Sequence, residues 1–262
     1  MSTQTLSLSE EARKIMADYM GLSFGDKKVQ CPYYNNRRGG IRAGLRPLIG
    51  KGSPDEITEE VILIALKSRE NIKGMDEKDL KRFIVDRKIG IDCSGLAYYI
   101  LDAESRSKNL GSLKKNLRPV NGTNFLRKLI CKIRPVESAG VTSFSSEKNS
   151  KEIKINDARP GDFIAMLNTG PEKNYHHILV LTETMSENGN IKQIKYVHSY
   201  AWPEDGKYGH GVREGCIEIT DVQEPIQKQI WTEQSKSGDE NITQRRAIEA
   251  GMTSVRRLNW FH

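Results

Sequence analysis

The sequence predicts an α+β fold in which a helical layer packs on an antiparallel β-sheet. Three observations carry this. Over residues 7–20, 53–69, 76–86 and 93–101 apolar side chains recur in helix-compatible patterns. Over residues 162–220 they fall in short runs separated by turn formers, the pattern of strands. Between the two lies Gly90-Ile91-Asp92-Cys93-Ser94-Gly95, running at once into the apolar, helix-compatible Leu96-Ala97-Tyr98-Tyr99-Ile100-Leu101. A layer of amphipathic helices needs a sheet to cover it, and the strands that follow supply one.

Taken in order, Ser7-Leu8-Ser9-Glu10 reads as a capping box opening a helix whose buried face carries Ala12, Ile15, Met16, Tyr19 and Met20. Over residues 21–52 periodicity fails and turn formers gather, which predicts a long loop region lining a cleft; Arg37-Arg38-Gly39-Gly40 in it is a single copy of an RNA-binding-like fragment and carries little specificity. Ser53-Pro54-Asp55-Glu56 is a strong helix start, with Ser as N-cap and Pro at the first helical position, for a helix reaching about Arg69. A further helix over 76–86 delivers the chain to Gly90. Residues 162–167, 177–184, 191–200 and 212–220 read as strands, the second apolar on both faces and therefore central. Glu187-Asn188-Gly189-Asn190 is a hairpin turn. Alternation places Ile194, Tyr196 and His198 on one face, expected to look toward the Cys93 helix. Edge strands are expected at 229–232 and 254–261, a polar loop or short helix at 235–246, and a docked terminus at Trp260-Phe261.

Cys93 stands at the mouth of its helix, where unpaired N–H groups and the positive end of the macrodipole favour a thiolate. Gly90 and Gly95 permit tight turning and close approach, and Asp92 can cap the helix. A buried structural thiol is the competing reading. Downstream, His177 opens Ile178-Leu179-Val180-Leu181 and His198 closes Ile194-Lys195-Tyr196-Val197-His198. A base and an orienting group on adjacent strands near a helix-borne Cys is the layout that thiol hydrolysis needs.

At these residues the chain resembles the NlpC/P60 family of papain-like cysteine peptidases. Asp92-Cys93-Ser94-Gly95-Leu96 is similar to that family's nucleophile motif, Arg159-Pro160-Gly161-Asp162-Phe163-Ile164 to its Pro-Gly-Asp segment, and His177-Ile178-Leu179-Val180-Leu181 to its His-Val-Gly-Ile strand. The resemblance spans roughly residues 85–220 and is most specific at the cysteine. Leu179 stands where the family usually has Gly, and the family's Tyr shortly before the Cys is missing; Tyr33 or Tyr34 would have to fold back to serve. The resemblance implies a papain-like core and a single catalytic domain over 1–262, with an N-terminal helical elaboration over 1–75 and a basic insertion over about 102–155. It implies Cys93 as nucleophile, His177 rather than His176 as base and His198 as its orienting partner. Tyr34, Asp92 and Ser94 are the candidates for oxyanion or substrate contacts. The expected reaction is cleavage of a peptide amide, typically in bacterial cell wall, through a thioester, with no cofactor and no metal. Alternatives are a non-catalytic module binding an anionic polymer and a thiol acyltransferase acting on lipid or another amide. A zinc site from Cys93, His177 and His198 with Cys216 or His210 is the rival chemistry, but its spacing is irregular and no His-Glu base motif accompanies it.

The net charge of +7 and a pI near 9.1 favour an anionic neighbour. Over residues 106–134 the chain carries Arg106, Lys108, Lys114, Lys115, Arg118, Arg127, Lys128, Lys132 and Arg134 without one Asp or Glu, a candidate surface for an anionic polymer or a solvated basic face. Cys31, Cys93, Cys131 and Cys216 show no Cys-x-x-Cys spacing and are expected as reduced thiols. The first thirty residues hold no apolar leader segment and no stretch approaches a membrane span, so the chain as written is expected in the cytosol unless another route exports it. Asn121-Gly122-Thr123 and Asn241-Ile242-Thr243 fit the glycosylation pattern, which is idle without secretion.

Overall fold

The computed structural model describes residues 2–36, 40, 44–118, 120, 129 and 131–261. Arg37-Arg38-Gly39, Arg127, Lys128 and Asn121-Gly122-Thr123 lie outside the described residues. The fold is α+β. Its sheet is antiparallel and built from β4 (Ser150–Glu152), β5 (Phe163–Thr169), β6 (Tyr175–Glu187), β7 (Asn190–Tyr200), β8 (Gly211–Glu218), β9 (Ile230–Glu233), β10 (Lys236–Ser237) and β11 (Met252–Leu258). The spatial order is β10-β9-β8-β7-β6-β5-β11-β4, and β1 (Thr3–Ser7) pairs with the far half of β6. A separate hairpin joins β2 (Leu22–Phe24) to β3 (Lys27–Val29) inside the segment expected to be loop. The β6–β7 turn has Asn188 at φ 49° and Gly189 at φ 81°, two successive positive values that suit Asn-Gly.

Helices α1 (Glu10–Met20), α2 (Pro54–Ser68), α3 (Glu77–Asp86) and α4 (Cys93–Ser107) cover one face. Ser53 and Glu56 form a full capping box at α2, and Asp76 caps α3. The expected box at Ser7 does not form, because Ser7 is taken up in β1; Ser9 is the N-cap of α1, accepting from Ala12 N–H, while its own N–H is donated to Glu104.

β6 is apolar on both faces because the sheet has a core on each side. Ile178 and Val180, with Val197 of β7, pack with Leu96 and Ala97 of α4. Leu179 and Leu181 pack with Ile194, Tyr196, Ile217 and Trp231 in a second core, which the C-terminal helix Ile242–Glu249 helps to close through Ala247. The face carrying Ile194 and Tyr196 therefore looks away from α4, the reverse of the expectation. Pairing of Val180 with Val197 commits their side of the sheet to α4, and strict alternation sends Tyr196 and His198 to the other.

The polar segment 235–246 supplies β10 and most of the C-terminal helix. At the start of β5, Gly161 takes φ 89°, and Asp162 makes two 2.8 Å bonds to Arg257 of β11. Phe261 is buried against this corner, with Lys108 over its ring, so the C-terminal aromatic pair is docked. Among the described residues no helix is long and apolar enough to cross a membrane.

Candidate active site

The tip of α4 is held by three segments that the sequence keeps far apart. Ile91 is flanked by Tyr33 in a parallel bridge and by Lys51 in an antiparallel one. Asp92 N–H donates to Gly50 O at 2.9 Å, and Ser199 Oγ of β7 donates to Ile91 O at 2.7 Å. The glycines permit this approach: a Cβ on Gly90 would stand 2.3 Å from Pro32 O, and one on Gly95 would stand 2.8 Å from Gly50 O.

Asp92 is the N-cap of α4, its Oδ1 accepting from Gly95 N–H at 2.6 Å and from Ser94 Oγ at 3.0 Å. The same oxygen takes a 2.9 Å ion pair from Lys51, whose buried ammonium also donates to Ser94 Oγ at 2.6 Å and Ala139 O at 3.1 Å. Asp92 and Ser94 are thus committed to a buried network under the helix start.

Cys93 is buried, and its sulfur accepts N–H groups from Ser94 and from Ile178, the residue after His177. Burial nonetheless pushes the thiol up to about 12, with Asp92 adding to the effect. Desolvation of a thiolate outweighs the helix mouth, so the sulfur rests as a thiol. Among the described residues no hydrogen bond joins Cys93 Sγ to His177.

The two histidines do meet. His177 Nε2 lies 2.7 Å from His198 Nδ1, and His198 Nε2 lies 2.7 Å from Glu233 Oε1 on β9. Glu233 is reached across the intervening β8. Its other oxygen accepts from Tyr196 at 2.8 Å, and Thr243 also bonds it. Burial alone would raise the Glu233 carboxyl, but His198, Thr243 and Tyr196 outweigh it and hold it below the usual carboxylate range. Gly215 of β8 makes the crossing possible, since a Cβ there would lie 2.2 Å from the Tyr196 ring. Buried Arg213, next to His198 across the sheet, ion-pairs with Asp205 and places Nε 3.8 Å from Glu233.

With ionised Glu233 accepting from His198 Nε2–H, an uncharged His198 has only the Nδ1 lone pair to offer, so His177 donates from Nε2. That leaves His177 Nδ1 as a lone pair. Burial, with His198 and Arg246, holds the His177 imidazole well below its usual pKa. The resting state therefore has both the thiol and the His177 imidazole uncharged. His176 is not in this chain of bonds; its Nδ1 accepts Asn168 N–H at 3.1 Å.

Of the two tyrosines before the helix, Tyr33 interacts electrostatically with Cys93 and Asp92 as well as Tyr200, while the only influence raising Tyr34 is burial. Asn35 donates to the Tyr33 hydroxyl at 3.2 Å, leaving its O–H free to be given. Tyr34 is fixed through its backbone, N–H to Ile91 O. Tyr200, stacked on His198 at 16° and 5.8 Å and 4.9 Å from His177, also feels Cys93.

Glu233 escaped the sequence reading, although Trp231 and Glu233 alternate onto the buried face of one short strand, and a carboxylate there calls for a partner. Lys51 lies in an aperiodic loop and gave no signal. Cys216 is half-buried on β8, and among the described residues no three His, Cys, Asp or Glu side chains converge to hold a metal ion. Three side chains of the basic segment form ion pairs, Arg106 with Asp102, Lys108 with Glu104 and Arg134 with Glu137. No protein-family model, curated protein or solved structure matches the chain.

Proposed function

We propose that this chain is a cysteine hydrolase with a papain-like core that cleaves a peptide amide, of the cell-wall type implied by its NlpC/P60 resemblance, through a thioester on Cys93. The observation that carries the reading is the chain of buried bonds from His177 through His198 to Glu233, ending where the Cys93 sulfur meets the backbone of β6. A structural core does not need two imidazoles and a carboxylate in series, since desolvating each polar group costs free energy that apolar packing would not.

The reaction begins from the neutral pair. As Sγ attacks the amide carbonyl carbon, His177 Nδ1 takes the thiol proton; catalytic contacts of this kind close when substrate fills the site. The positive charge this creates is shared along the imidazole pair and faces the Glu233 carboxylate. The oxyanion is held by the backbone N–H of Cys93 at the helix start and by Tyr33 O–H, donors of a type worth roughly 3–4 kcal/mol each. His177 gives its proton to the departing amine, the C–N bond breaks and a thioester remains. Water then loses a proton to His177, attacks the thioester carbon, and the sulfur leaves and is reprotonated. Amide and water become acid and amine.

The test is intact-mass detection of an acyl adduct during turnover of a wall-peptide library and of activated esters. The wild type is expected to carry one acyl group, mapped to Cys93, Cys93→Ser none, and His177→Ala at least a hundredfold less turnover. Equal turnover by Cys93→Ser would end the reading.

A further inference from the structure

The start of α4 carries more charge than a helix cap requires. Asn or Ser would cap it as well as Asp, yet Asp92 is a carboxylate and stands next to Cys93. Burial is the main cause that holds the Cys93 thiol up, and Asp92 adds to it, while Lys51 acts the other way. The geometry shows how. The Lys51 ammonium bonds the side chains on both sides of Cys93, Asp92 Oδ1 at 2.9 Å and Ser94 Oγ at 2.6 Å, and also donates to Ala139 O at 3.1 Å. The Lys51 backbone is pinned by its bridge to Ile91 and by Tyr99 O–H, which donates to Lys51 O at 2.9 Å. Among the described residues Asp92 is the one carboxylate that ion-pairs with Lys51.

On the other elements packed around the sulfur the titratable groups are uncharged. The phenols of Tyr33, ahead of the helix, and of Tyr200, on β7, are pushed up by burial. The imidazole of His177, one residue before the Ile178 whose N–H bonds the sulfur, is held down by it. In the proposed reaction negative charge gathers on Sγ twice, as the thiol gives up its proton and as the sulfur leaves the thioester. An unopposed Asp92 carboxylate would resist both, the more so in a buried site where charges are poorly screened.

Building on the hydrolase reading, we infer that Lys51 is a positioning residue for the nucleophile: its buried ammonium cancels the capping carboxylate of Asp92, so that charge can gather on the Cys93 sulfur at the helix mouth. Asp92 and Lys51 act as a pair, the first holding the turn and the second removing the charge that holding it would leave beside the sulfur.

Alkylation by iodoacetamide at about pH 8, mapped to Cys93, reads the thiol itself, and kcat/KM on activated esters reads its use. Lys51→Met is expected to slow alkylation about three- to tenfold, because the carboxylate is left unopposed, and to lower turnover with it. Adding Asp92→Asn removes the second charge while keeping a good cap, and is expected to recover at least about half of both losses. A lysine that only supported the turn would leave the double variant as slow as the single one, since its bonds are missing from both. Recovery of less than half therefore overturns the inference. So does Lys51→Met alkylated as fast as wild type, or alkylated more slowly with turnover unchanged. Circular dichroism checks the fold of each variant. If Lys51→Met does not fold, Asp92→Asn alone decides: faster alkylation than wild type supports the inference, and equal or slower alkylation overturns it. These outcomes leave the hydrolase standing. Ester turnover that survives in Cys93→Ser, or that is absent from wild type, overturns the hydrolase and the role of Lys51 with it.

Discussion

Two buried imidazoles 2.7 Å apart must agree on one proton, and burial, with His198 and Arg246 adding to it, holds His177 well below its ordinary pKa. The folded protein resists charging His177, while the unfolded chain takes a proton near its ordinary 6.5. Below that pH the unfolded state binds more protons than the folded one, so stability rises with pH and falls as acid is added. His177→Gln should flatten the fall by up to about 1.4 kcal/mol per pH unit. Urea unfolding of both proteins at pH 5.5 and 7.5 measures it; identical slopes would show that His177 titrates freely in the folded state. At this scale the sequence placed Cys93 at a helix mouth and put His177 and His198 on neighbouring strands, where they do meet, but it gave no measure of the burial that sets the state of the thiol and of His177. Nor was the bridge that ties Tyr33 to Ile91 legible, since it joins segments far apart in the chain.

Among the elements, α4 is the one most elaborately anchored. Its cap is a carboxylate that also neutralises a buried lysine, so Asp92→Ala removes both an N-cap and the partner of Lys51. The expected loss is about 3–5 kcal/mol, well beyond the roughly 1 kcal/mol of an ordinary cap. Adding Lys51→Met to Asp92→Ala should recover part of it, because no stranded charge remains. Urea unfolding of the two single variants and the double would give the coupling, and strict additivity would mean that the pair contributes nothing. Helix starts at Ser53, Asp76 and Asp92 were readable because capping is local chemistry. Ser7 misled for the opposite reason: its fate is set by pairing with Glu183, far along the chain.

For the molecule as a whole, the His177–His198–Glu233 chain exists because strands β6, β7 and β9 are brought into one sheet. Glu233, near the last part of the chain, fixes the proton positions on histidines contributed much earlier. Glu233→Gln keeps the shape but can present an N–H where His198 needs an acceptor, which would reverse both tautomers and put a proton on His177 Nδ1. A fall in kcat of about 10²–10⁴ is expected with the fold intact, measured on the activated esters alongside circular dichroism. Unchanged kcat would reduce Glu233 to a packing residue.

The sequence by itself determined the α+β division, the caps of α2 to α4, the hairpin at Asn188-Gly189 and the central place of β6. Each follows from interactions within a few residues or from simple periodicity. Only the tertiary structure decided which sheet face meets α4, that burial keeps Cys93 a thiol, and that Glu233 reaches His198 across β8. Those are matters of desolvation and of contact between distant segments, and a linear pattern carries no measure of either.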